Sequence, residues 1–536
     1  MKKYILIILA TLSMTACLNE NPKDQLAEEK AYDSAKNLYI NTVATLYNYI
    51  GGNKDSQGLQ GTYRGVYDFN TFTTDEAIIP TRGGDWYDGG FWQSLYLHTW
   101  TASDKALSNT WNYLYKVIAL CNHSLARIDE YSSLLTASQK ATYEAEVRAI
   151  RAMYYYYLVD LYARVPLVVS EEVSLKDVKQ STRSDVFWFT VNELQNVAPL
   201  LPDEHSNLEG DYYGRVTRPV VYFLLAKLAL NAEIFTDNDW TDGTRTSGKN
   251  ITFSIDGSKL NAWEACMHYC DLITNEGYTL ESNYAKNFAV INENSSENIF
   301  TIPMNKTLYA NIFKNLFRSR HYNHGSALGM DSENGSCATL STVKTYGYGT
   351  PQVDTRFDIN FYHDTIYVDN NIVKLDNGQP LIYVPTSVAI DLTGDPHEKT
   401  GGARMAKYEI DRTAYSDGQL QNNDIVLYRY ADVLLMKAEA KVRNGQDGTA
   451  ELNAVRSRVA MGARTATLDN ILQERLLELM WEGWRRQDLV RFDRFHKAYD
   501  IRPQLSDEAS GYTTVFPIPV TALNMNSNLS QNPGYK

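Results

Sequence analysis

A succession of long helical segments joined by short loops constrains the fold more than any other feature of this chain. The segment WNYLYKVIALCNHSLARIDEY repeats apolar side chains at a period close to 3.6 residues, from Trp111 to Leu125. Three more such segments follow at 141–166, 186–202 and 217–235, each closed by proline or by a loop rich in Asn and Asp. Because an amphipathic helix buries its apolar stripe against a neighbour, the short loops predict helix pairs packed antiparallel, as in helical-repeat arrays.

The middle of the chain has little helical periodicity. Residues 236–254 are rich in Asp, Thr, Gly and Asn, and periodicity fades again from about 325 to 402. Within this part, ENIFTIPM is a candidate for a short strand, and TIYVDNNIVKL predicts a hairpin that turns at residues 369–371. A long stretch with so little regular structure inside a compact protein is usually functional surface.

Helices resume in the last third of the chain. The segment DIVLYRYADVLLMKAEAKVRNG predicts a helix capped by Gly445. The segment ILQERLLELMWEGWRRQDLVRF predicts one long helix, with a buried face formed by Leu472, Leu476, Leu479, Met480 and Gly483. Its three glutamates lie one turn apart, whereas a glycosidase pair flanks a sugar from opposite sides, so a salt-bridge network is the better interpretation. The residues of that network are Glu474, Glu478 and Glu482 with Arg475, Arg485 and Arg486.

The N-terminus has the pattern of a bacterial secretion signal. Two lysines precede an apolar run over residues 4–12, which is well short of the ~20 residues that a membrane span needs. The run is followed by MTAC, which resembles a lipobox that ends in Cys17. This pattern predicts a signal peptide over residues 1–16, a multiply acylated Cys17 that anchors the protein to a membrane, and a flexible tether over residues 17–30. The alternative is a plain signal peptide with an incidental cysteine.

The charge balance excludes one class of partner. Acidic residues outnumber basic ones by 64 to 51, which gives a formal net charge of −13. A general nucleic-acid binder needs a basic face, so we predict no nucleic-acid partner. The chain is unusually rich in tyrosine, with 38 tyrosines beside 9 tryptophans. Aromatic rings with polar handles suit wet, half-buried contacts.

The sequence contains no motif of a common enzyme class. It lacks a P-loop, a GxGxxG dinucleotide fingerprint, an HExxH pair and a GxSxG elbow. Residues 341–344 form an SxxK and residues 399–401 form a KTG, as in serine β-lactamases. However, no Ser-Asp-Asn lies between them, and Ser341 lies where helical periodicity is lost. We therefore predict neither enzyme activity nor a cofactor.

Cysteine and histidine pairs offer two candidates for metal sites. In CMHYC, Cys266 and Cys270 lie on a segment with helical periodicity, where cysteine is a common core residue and an i,i+4 disulfide would be strained. His321 and His324 have no third ligand at a suitable spacing. We predict no metal at either position.

Four segments, taken in order, resemble one family. RAIRAMYYYYLVDLYARVPLV, LYRYADVLLMKAEA, ERLLELMWEGWRRQDLVRF and VFPIPVTALNMNSNLSQNPGY are similar to motifs of the SusD/RagB outer-membrane nutrient-binding lipoproteins of Bacteroidetes. Ala163 and Arg164 stand where the family often has a glycine. Together with the lipobox, the segments span nearly the whole chain. Most of these motif residues are scaffold, and Arg475, Glu478, Glu482, Arg485 and Asp488 are spaced to pair across turns and with neighbouring helices.

The resemblance implies a mainly α-helical, SusD-like fold. Tetratricopeptide-like helix pairs would support a long loop-rich face with a few short β-hairpins. An N-terminal part over 31–235 would carry the ligand loop. A C-terminal part over 236–536, loop-rich to 423 and helical from 424 to 500, would end in the QNPGY-type tail and complete one compact unit. The resemblance also implies that the protein is anchored by lipid to the outer membrane and faces the cell surface. There it would capture an oligosaccharide and deliver it, without cleavage, to a SusC-like TonB-dependent transporter.

The loop TRGGDWYDGGFW is the first candidate for ligand contacts. It follows a TTDE segment, which is where the resemblance places ligand-binding aromatics. Paired glycines let the backbone turn, rings stack on the C–H face of a sugar, and charged side chains bond its hydroxyls. The candidates in this loop are Trp86, Tyr87, Asp85 and Arg82, followed by Asp88 and Trp92, and core packing is an equal alternative for Trp92. A second group comprises Tyr309, Arg320, His321, Tyr322 and Asn323.

Three other functions stay open on the sequence alone. One is a peptide-uptake lipoprotein of the same family, another is a surface glycoside hydrolase, and the last is a transporter lid without ligand affinity of its own. The acidic net charge disfavours a strongly anionic polysaccharide, although local arginines can override a global field.

Overall fold

The computed structural model describes residues 28–535. The predicted signal peptide, the lipidated Cys17 and the tether up to residue 27 lie outside the described residues. Within the described residues, no helix is both long and apolar enough to cross a membrane. The architecture is mainly α-helical with short strands, as the sequence predicted.

The first half of the described chain is a set of packed helices. The longest two, α6 (Lys105–Glu130) and α7 (Ala137–Leu161), pack against each other, and α8 (Arg183–Val197) also packs against α7. The helices of this half are α1 (Glu28–Ala31), α2 (Ala35–Tyr39), α3 (Thr45–Gly51), α4 (Val66–Thr71), α5 (Phe91–Leu97), α6 (Lys105–Glu130), α7 (Ala137–Leu161), α8 (Arg183–Val197), α9 (Arg218–Leu230) and α10 (Ala232–Phe235).

Helix α7 carries the run of four tyrosines, Tyr154–Tyr157, and all four are buried. The helix starts at a capping box between Thr136 and Gln139, which satisfies its first free N–H groups. Its tyrosine hydroxyls find partners inside the core: that of Tyr155 donates to the Val168 carbonyl at 3.0 Å, and that of Tyr156 donates to Gln487 at 2.7 Å. The expectation that tyrosines serve wet contacts is therefore wrong for this run, because the core supplies their hydrogen bonds.

The second half contains further helices and the irregular region. Helix α11 packs on α9 and α16 and buries Cys266 and Cys270 as free thiols, which confirms their core role. Gly445 follows α16 in the left-handed conformation, which confirms the predicted cap. The helices are α11 (Ala262–Asn275), α12 (Lys314–Ser319), α13 (Tyr322–Ala327), α14 (Leu340–Thr345), α15 (Phe357–Asn360), α16 (Tyr430–Arg443), α17 (Thr449–Arg458), α18 (Leu468–Leu479), α19 (Arg485–Arg491) and α20 (Val520–Met525).

The predicted long helix over the motif ERLLELMWEGWRRQDLVRF is in fact two helices. Helix α18 ends at Leu479, and Trp481 and Gly483 adopt left-handed conformations before α19 begins. The break is held by distant residues. The Lys407 ammonium donates to the Met480 carbonyl at 2.7 Å, and the Trp481 N–H donates to the Glu76 carboxylate at 2.5 Å.

The strands are short and pair only in twos. The hairpin β8–β9 turns at Asp369 and Asn370, both in the left-handed conformation, and ENIFTIPM contains β4, so both strand predictions are confirmed. The antiparallel pairs are β1 (Ala77–Ile78) with β5 (Cys337–Ala338), β2 (Thr252–Ile255) with β3 (Ser258–Asn261), β4 (Asn298–Ile302) with β12 (Ile425–Arg429), β6 (Phe361–Tyr362) with β11 (Arg404–Met405), β7 (Asp364–Thr365) with β10 (Ile382–Tyr383), and β8 (Tyr367–Val368) with β9 (Asn371–Ile372).

Charged side chains of the C-terminal motifs are buried in pairs. Arg429 of β12 contacts Glu297, Glu478 and Glu482, and Arg356 contacts Glu478 from the opposite side. The three glutamates of α18 and its end are therefore in salt bridges, as predicted, but the predicted partners are wrong: Arg475, Arg485 and Arg486 pair with aspartates elsewhere, because the cations that reach the glutamates come from other elements. We call this cluster the ionic core, and its members are Glu297, Asp354, Arg356, Lys407, Arg429, Arg456, Arg458, Glu474, Glu478 and Glu482.

Candidate ligand-binding surface

The loop over residues 81–92 is held from beneath by Arg82. The Arg82 side chain is fully buried, and its guanidinium donates to the carbonyls of Gly335, Glu398 and Gly401 at 2.9–3.2 Å. Burial lowers the pKa of Arg82 to about 9. The prediction that Arg82 bonds ligand hydroxyls is therefore wrong, since its donors are already taken up in anchoring the loop.

The backbone of this loop is strained where its aromatic residues begin. Trp86 has a φ of 64° and Asp88 a φ of 46°, and Gly83, Gly89 and Gly90 also lie in the left-handed region. For a bulky residue such as tryptophan this conformation is a genuine outlier, and such strain is often concentrated at functional sites. Trp481 has the same left-handed backbone conformation but is buried. Backbone strain therefore indicates a ligand site only where the strained segment also carries exposed side chains.

Trp86 is half-buried, and its position is fixed by two contacts. The indole Nε1–H donates to the Glu333 carbonyl at 2.9 Å. The ring also lies over Gly335, where a Cβ would come within 2.6 Å of it. Trp86 is therefore a half-buried residue with a fixed ring, whereas the next residue, Tyr87, is 59% exposed.

Trp92, in contrast, is a core residue. It is 1% exposed and packs against Phe72, Trp86 and Phe91. Its Nε1–H donates to Asp88 at 2.7 Å. Of the two alternatives for Trp92, core packing is correct and ligand contact is wrong. Asp88 itself is exposed and pairs with Arg64 at 2.9 Å.

The second predicted segment meets the loop at Asp85. The Tyr322 hydroxyl donates to Asp85 Oδ2 at 2.8 Å, and the Lys399 ammonium donates to the same oxygen at 2.9 Å. The hydrogen bond from Lys399 lowers the pKa of Asp85 below its ordinary value. Next to Tyr322, Asn323 donates to Asp376 at 2.8 Å. Two segments more than 200 residues apart thus form one surface.

The role of Lys399 at this surface is not visible in the sequence. This lysine belongs to the KTG triplet, which stood out only as an enzyme decoy. Its ammonium also donates to the Arg82 carbonyl at 2.6 Å and so ties the loop to the irregular region. Ser341 of the companion SxxK lies in the first turn of α14, so the expectation of irregular backbone there is wrong.

Three further candidates do not reach this surface. Arg320 and His321 are buried, and His321 accepts the N–H of Asn323 as the N-cap of α13. Burial, together with Arg404 and Arg82, lowers the pKa of His321 to about 4. Both predictions of ligand contact are therefore wrong, because these side chains support the surface from below. Tyr309 is 40% exposed, but among the described residues no contact links it to Asp85 or Tyr322.

We call the assembled site the aromatic surface, and it comprises Asp85, Trp86, Tyr87, Tyr322, Asn323 and Lys399. It combines exposed ring faces with a carboxylate, an amide and an ammonium, a mixture that suits a ligand with an apolar face and a polar rim. Among the described residues, no group of three His, Cys, Asp or Glu side chains is placed to hold a metal ion. The lowered pKa of Asp85 makes it a poor general acid.

Two family models match the chain. One is described as SusD family and matches residues 241–535, and the other is described as starch-binding associating with outer membrane and matches residues 27–230. Starch-binding protein SusD of Bacteroides thetaiotaomicron is 24% identical over 521 residues, which cover 90% of this chain and 87% of that protein. A SusD-like protein of Bacteroides ovatus is also 24% identical, over 517 residues, 92% of this chain and 83% of that protein.

Solved structures share the fold. Surface glycan-binding protein A from Bacteroides thetaiotaomicron in complex with laminarihexaose has a TM-score of 0.68 at 20% identity, covering 92% of this chain and 98% of that one. A SusD homolog from the same species has a TM-score of 0.71 at 19% identity, covering 95% and 99%. At these identities the structural likeness concerns the fold alone.

Proposed function

Because the chain belongs to the SusD family, we propose that it binds an oligosaccharide at the cell surface and passes it, uncleaved, to a SusC-like TonB-dependent transporter. The observation that carries this proposal is the aromatic surface. Tyr87 projects from a strained loop that Arg82 fixes to the irregular region, Trp86 lies half-buried beside it, and Tyr322 meets the loop through Asp85.

The chemistry of this surface suits a sugar. A pyranose ring has an apolar C–H face that stacks on an aromatic ring, and a rim of hydroxyls that donate and accept hydrogen bonds. Asp85 offers acceptors and Asn323 and Lys399 offer donors beside the rings. Because Trp86 and the Asp85 carboxylate are held in place before any ligand arrives, little side-chain entropy is lost on binding.

A binding role fits this surface better than hydrolysis. A glycosidase needs two carboxyl groups on either side of the scissile bond, one of them with a raised pKa. Lys399 holds the pKa of Asp85 low, so Asp85 is a poor candidate for the protonated member of such a pair. Relatives of this chain are named for starch binding and for a complex with laminarihexaose, which supports a glycan as the ligand here as well.

The proposed location follows from the leader and from the family model described as associating with outer membrane. The sequence MKKYILIILATLSMTAC supplies a short apolar run and a cysteine at which lipid would be attached. In the proposed arrangement the lipid on Cys17 holds the protein at the outer membrane beside its transporter, and the aromatic surface faces the ligand.

The test is a binding screen with lipid-free protein that carries Cys17→Ser. Neutral and acidic oligosaccharides and a set of short peptides are titrated by calorimetry, and reducing ends are followed during long incubation. We expect saturable binding to at least one oligosaccharide and no new reducing ends. Binding to peptides alone would replace the glycan by a peptide, release of reducing ends would make the protein an enzyme, and binding to nothing would contradict the proposal.

A further inference from the structure

A second cleft adjoins the loop over residues 81–92. Its volume is about 460 Å³, within the ~300–1,000 Å³ range of small-ligand sites. The loop and the N-terminal turns of α6 form its walls. The lining residues include Arg64, Asp88, Phe91, Asp104, Lys105 and Asn109.

Two glycines of the loop line the cleft. Gly89 and Gly90 have φ angles of 69° and 85°, and no atom lies within 4 Å of the place that a Cβ would occupy at either position. A side chain at these positions would therefore project into free space and fill it. Glycine leaves the peptide groups open to a ligand, which is the usual reason for close backbone approach.

One wall presents an aromatic ring beside a charged pair. The Arg64 guanidinium lies 5.2 Å from the centre of the half-buried Phe91 ring and 2.9 Å from Asp88. Arg64 is itself in the left-handed conformation, with a φ of 57°, and its N–H donates to Asp68 at 2.6 Å. Because Asp68 is locked by Arg318, the backbone that carries Arg64 is held in place.

The charges of the cleft balance. Its basic residues are Arg64 and Lys105, and its acidic residues are Asp88 and Asp104. Arg64 and Asp88 are already joined by a salt bridge. Each side chain of the pair has donors or acceptors left over for hydroxyl groups, whereas an added charge would have to compete with an existing partner. The cleft therefore suits an uncharged, hydroxyl-rich ligand.

The cleft and the aromatic surface lie on one loop, since Tyr87 of the aromatic surface directly precedes Asp88 of the cleft. Trp86 and Phe91 contact the same buried indole, Trp92, with ring centres 5.9 Å and 4.7 Å from it. Asp88 links the two sides, because it accepts from Trp92 and pairs with Arg64. We infer that the cleft is a second subsite for the same ligand, so that the ligand is a neutral chain of several sugar residues that crosses the Tyr87–Asp88 turn. This inference rests on the proposed function.

The experiment compares chain lengths. Malto-oligosaccharides and laminari-oligosaccharides, from disaccharide to hexasaccharide, are titrated into the lipid-free protein and its variants. Arg64→Ala removes a hydrogen bond from a charged group, so the affinity for the hexasaccharide should fall roughly tenfold or more, while that for the disaccharide is unchanged. Asn109→Trp, on the exposed face of α6, should have the same effect by filling the cleft.

The matched control is Arg412→Ala. Arg412 is 49% exposed and pairs with Asp369 at 3.1 Å, much as Arg64 is 48% exposed and pairs with Asp88. This control should leave binding at every length unchanged. If the parent binds no hexasaccharide more tightly than the disaccharide, or if Arg64→Ala and Asn109→Trp bind the hexasaccharide like the parent, the inference is overturned. The proposed function stands in the latter case as long as Trp86→Ala weakens binding, and it fails together with the inference if Trp86→Ala has no effect.

Discussion

Two buried groups of arginines in this protein are stabilised in opposite ways. In the ionic core, Arg356 and Arg429 each contact carboxylates from two or more elements. In the region beneath the aromatic surface, which we call the loop lobe, the guanidinium groups of Arg82 and Arg404 each donate to three backbone carbonyls. A third arginine of the loop lobe, Arg320, has two buried nitrogens without a hydrogen-bond partner among the described residues.

The difference follows from what each region has to satisfy. Helices satisfy most of their own backbone groups, so buried charges between helices must pair with one another. Loops leave carbonyls without partners, and a guanidinium with five donors can satisfy several of them at once. The ionic core thus fixes α17 and α18 to β12 and to the segments that carry Glu297 and Lys407, whereas Arg82 and Arg404 fix the irregular loops that carry the aromatic surface.

The largest effect is expected in the ionic core. Arg429→Met leaves Glu297, Glu478 and Glu482 without their shared cation, and breaking a buried pair in this way costs about 3–5 kcal/mol. Urea unfolding followed by circular dichroism measures the loss. The control Arg412→Met removes an exposed pair and should change the free energy of unfolding by less than about 1 kcal/mol. Equal losses in the two variants would mean that the buried pairs contribute no more than surface ones.

Acid should weaken a second set of buried ion pairs, which involves Asp432 and Glu439 of α16. Burial alone would raise the pKa of Asp432 and of Glu439, but Arg475 and Lys227 hold the former at about 2, and Arg491 and Arg443 hold the latter at about 2. Because these values lie below the ordinary pKa of about 4 in the unfolded chain, their stabilisation is complete above that pH and is lost as the pH falls toward 2. The urea midpoint should therefore drop across this window.

The variant Glu439→Gln removes one of these titrating groups. Its urea midpoint should be lower at neutral pH and should fall less steeply between about pH 4 and 2, since it has one proton fewer to take up. A slope equal to that of the parent protein would show that Glu439 is not held ionised by Arg491.

A smaller and more local effect is expected in the loop lobe. Arg82→Met removes the donors to the carbonyls of Gly335, Glu398 and Gly401, and because water can replace them when the loop opens, we expect a total loss of about 1–3 kcal/mol. Hydrogen exchange measured by mass spectrometry should become faster in the peptides that cover 81–92 and 398–402, with little change in α18. Uniformly faster exchange would mean that Arg82 stabilises the whole fold and not the loop.

The helical scaffold could be predicted because its information is local. The 3.6-residue pattern around Trp111 and Leu125, and the turn residues at 369–370, act within a few residues of themselves. The break between α18 and α19 could not be predicted, because Lys407 and Glu76, both distant in the sequence, hold the backbone of Met480 and Trp481.

The candidate site was predictable only in part for the same reason. The glycine pairs and aromatic residues of the loop were visible in the sequence. Arg82 and Lys399 are both basic residues near glycines, and nothing local in the sequence shows that Arg82 is buried on the carbonyls at 335, 398 and 401 while Lys399 reaches Asp85. Trp86 and Trp92 likewise have the same composition around them, and tertiary packing alone separates the half-exposed ring from the buried one.

The most direct test of the aromatic surface uses two tyrosines with equal exposure. Tyr87 in the loop and Tyr367 in the hairpin β8–β9 are each 59% exposed, so removal of either ring should affect folding to a similar, small extent. Calorimetry with the oligosaccharide selected by the binding screen compares Tyr87→Ala with Tyr367→Ala. The proposed function predicts that Tyr87→Ala weakens binding roughly tenfold, the value of a lost stacking contact of ~1.4 kcal/mol, and that Tyr367→Ala leaves the affinity unchanged. Equal affinities in the two variants and the parent protein would contradict it.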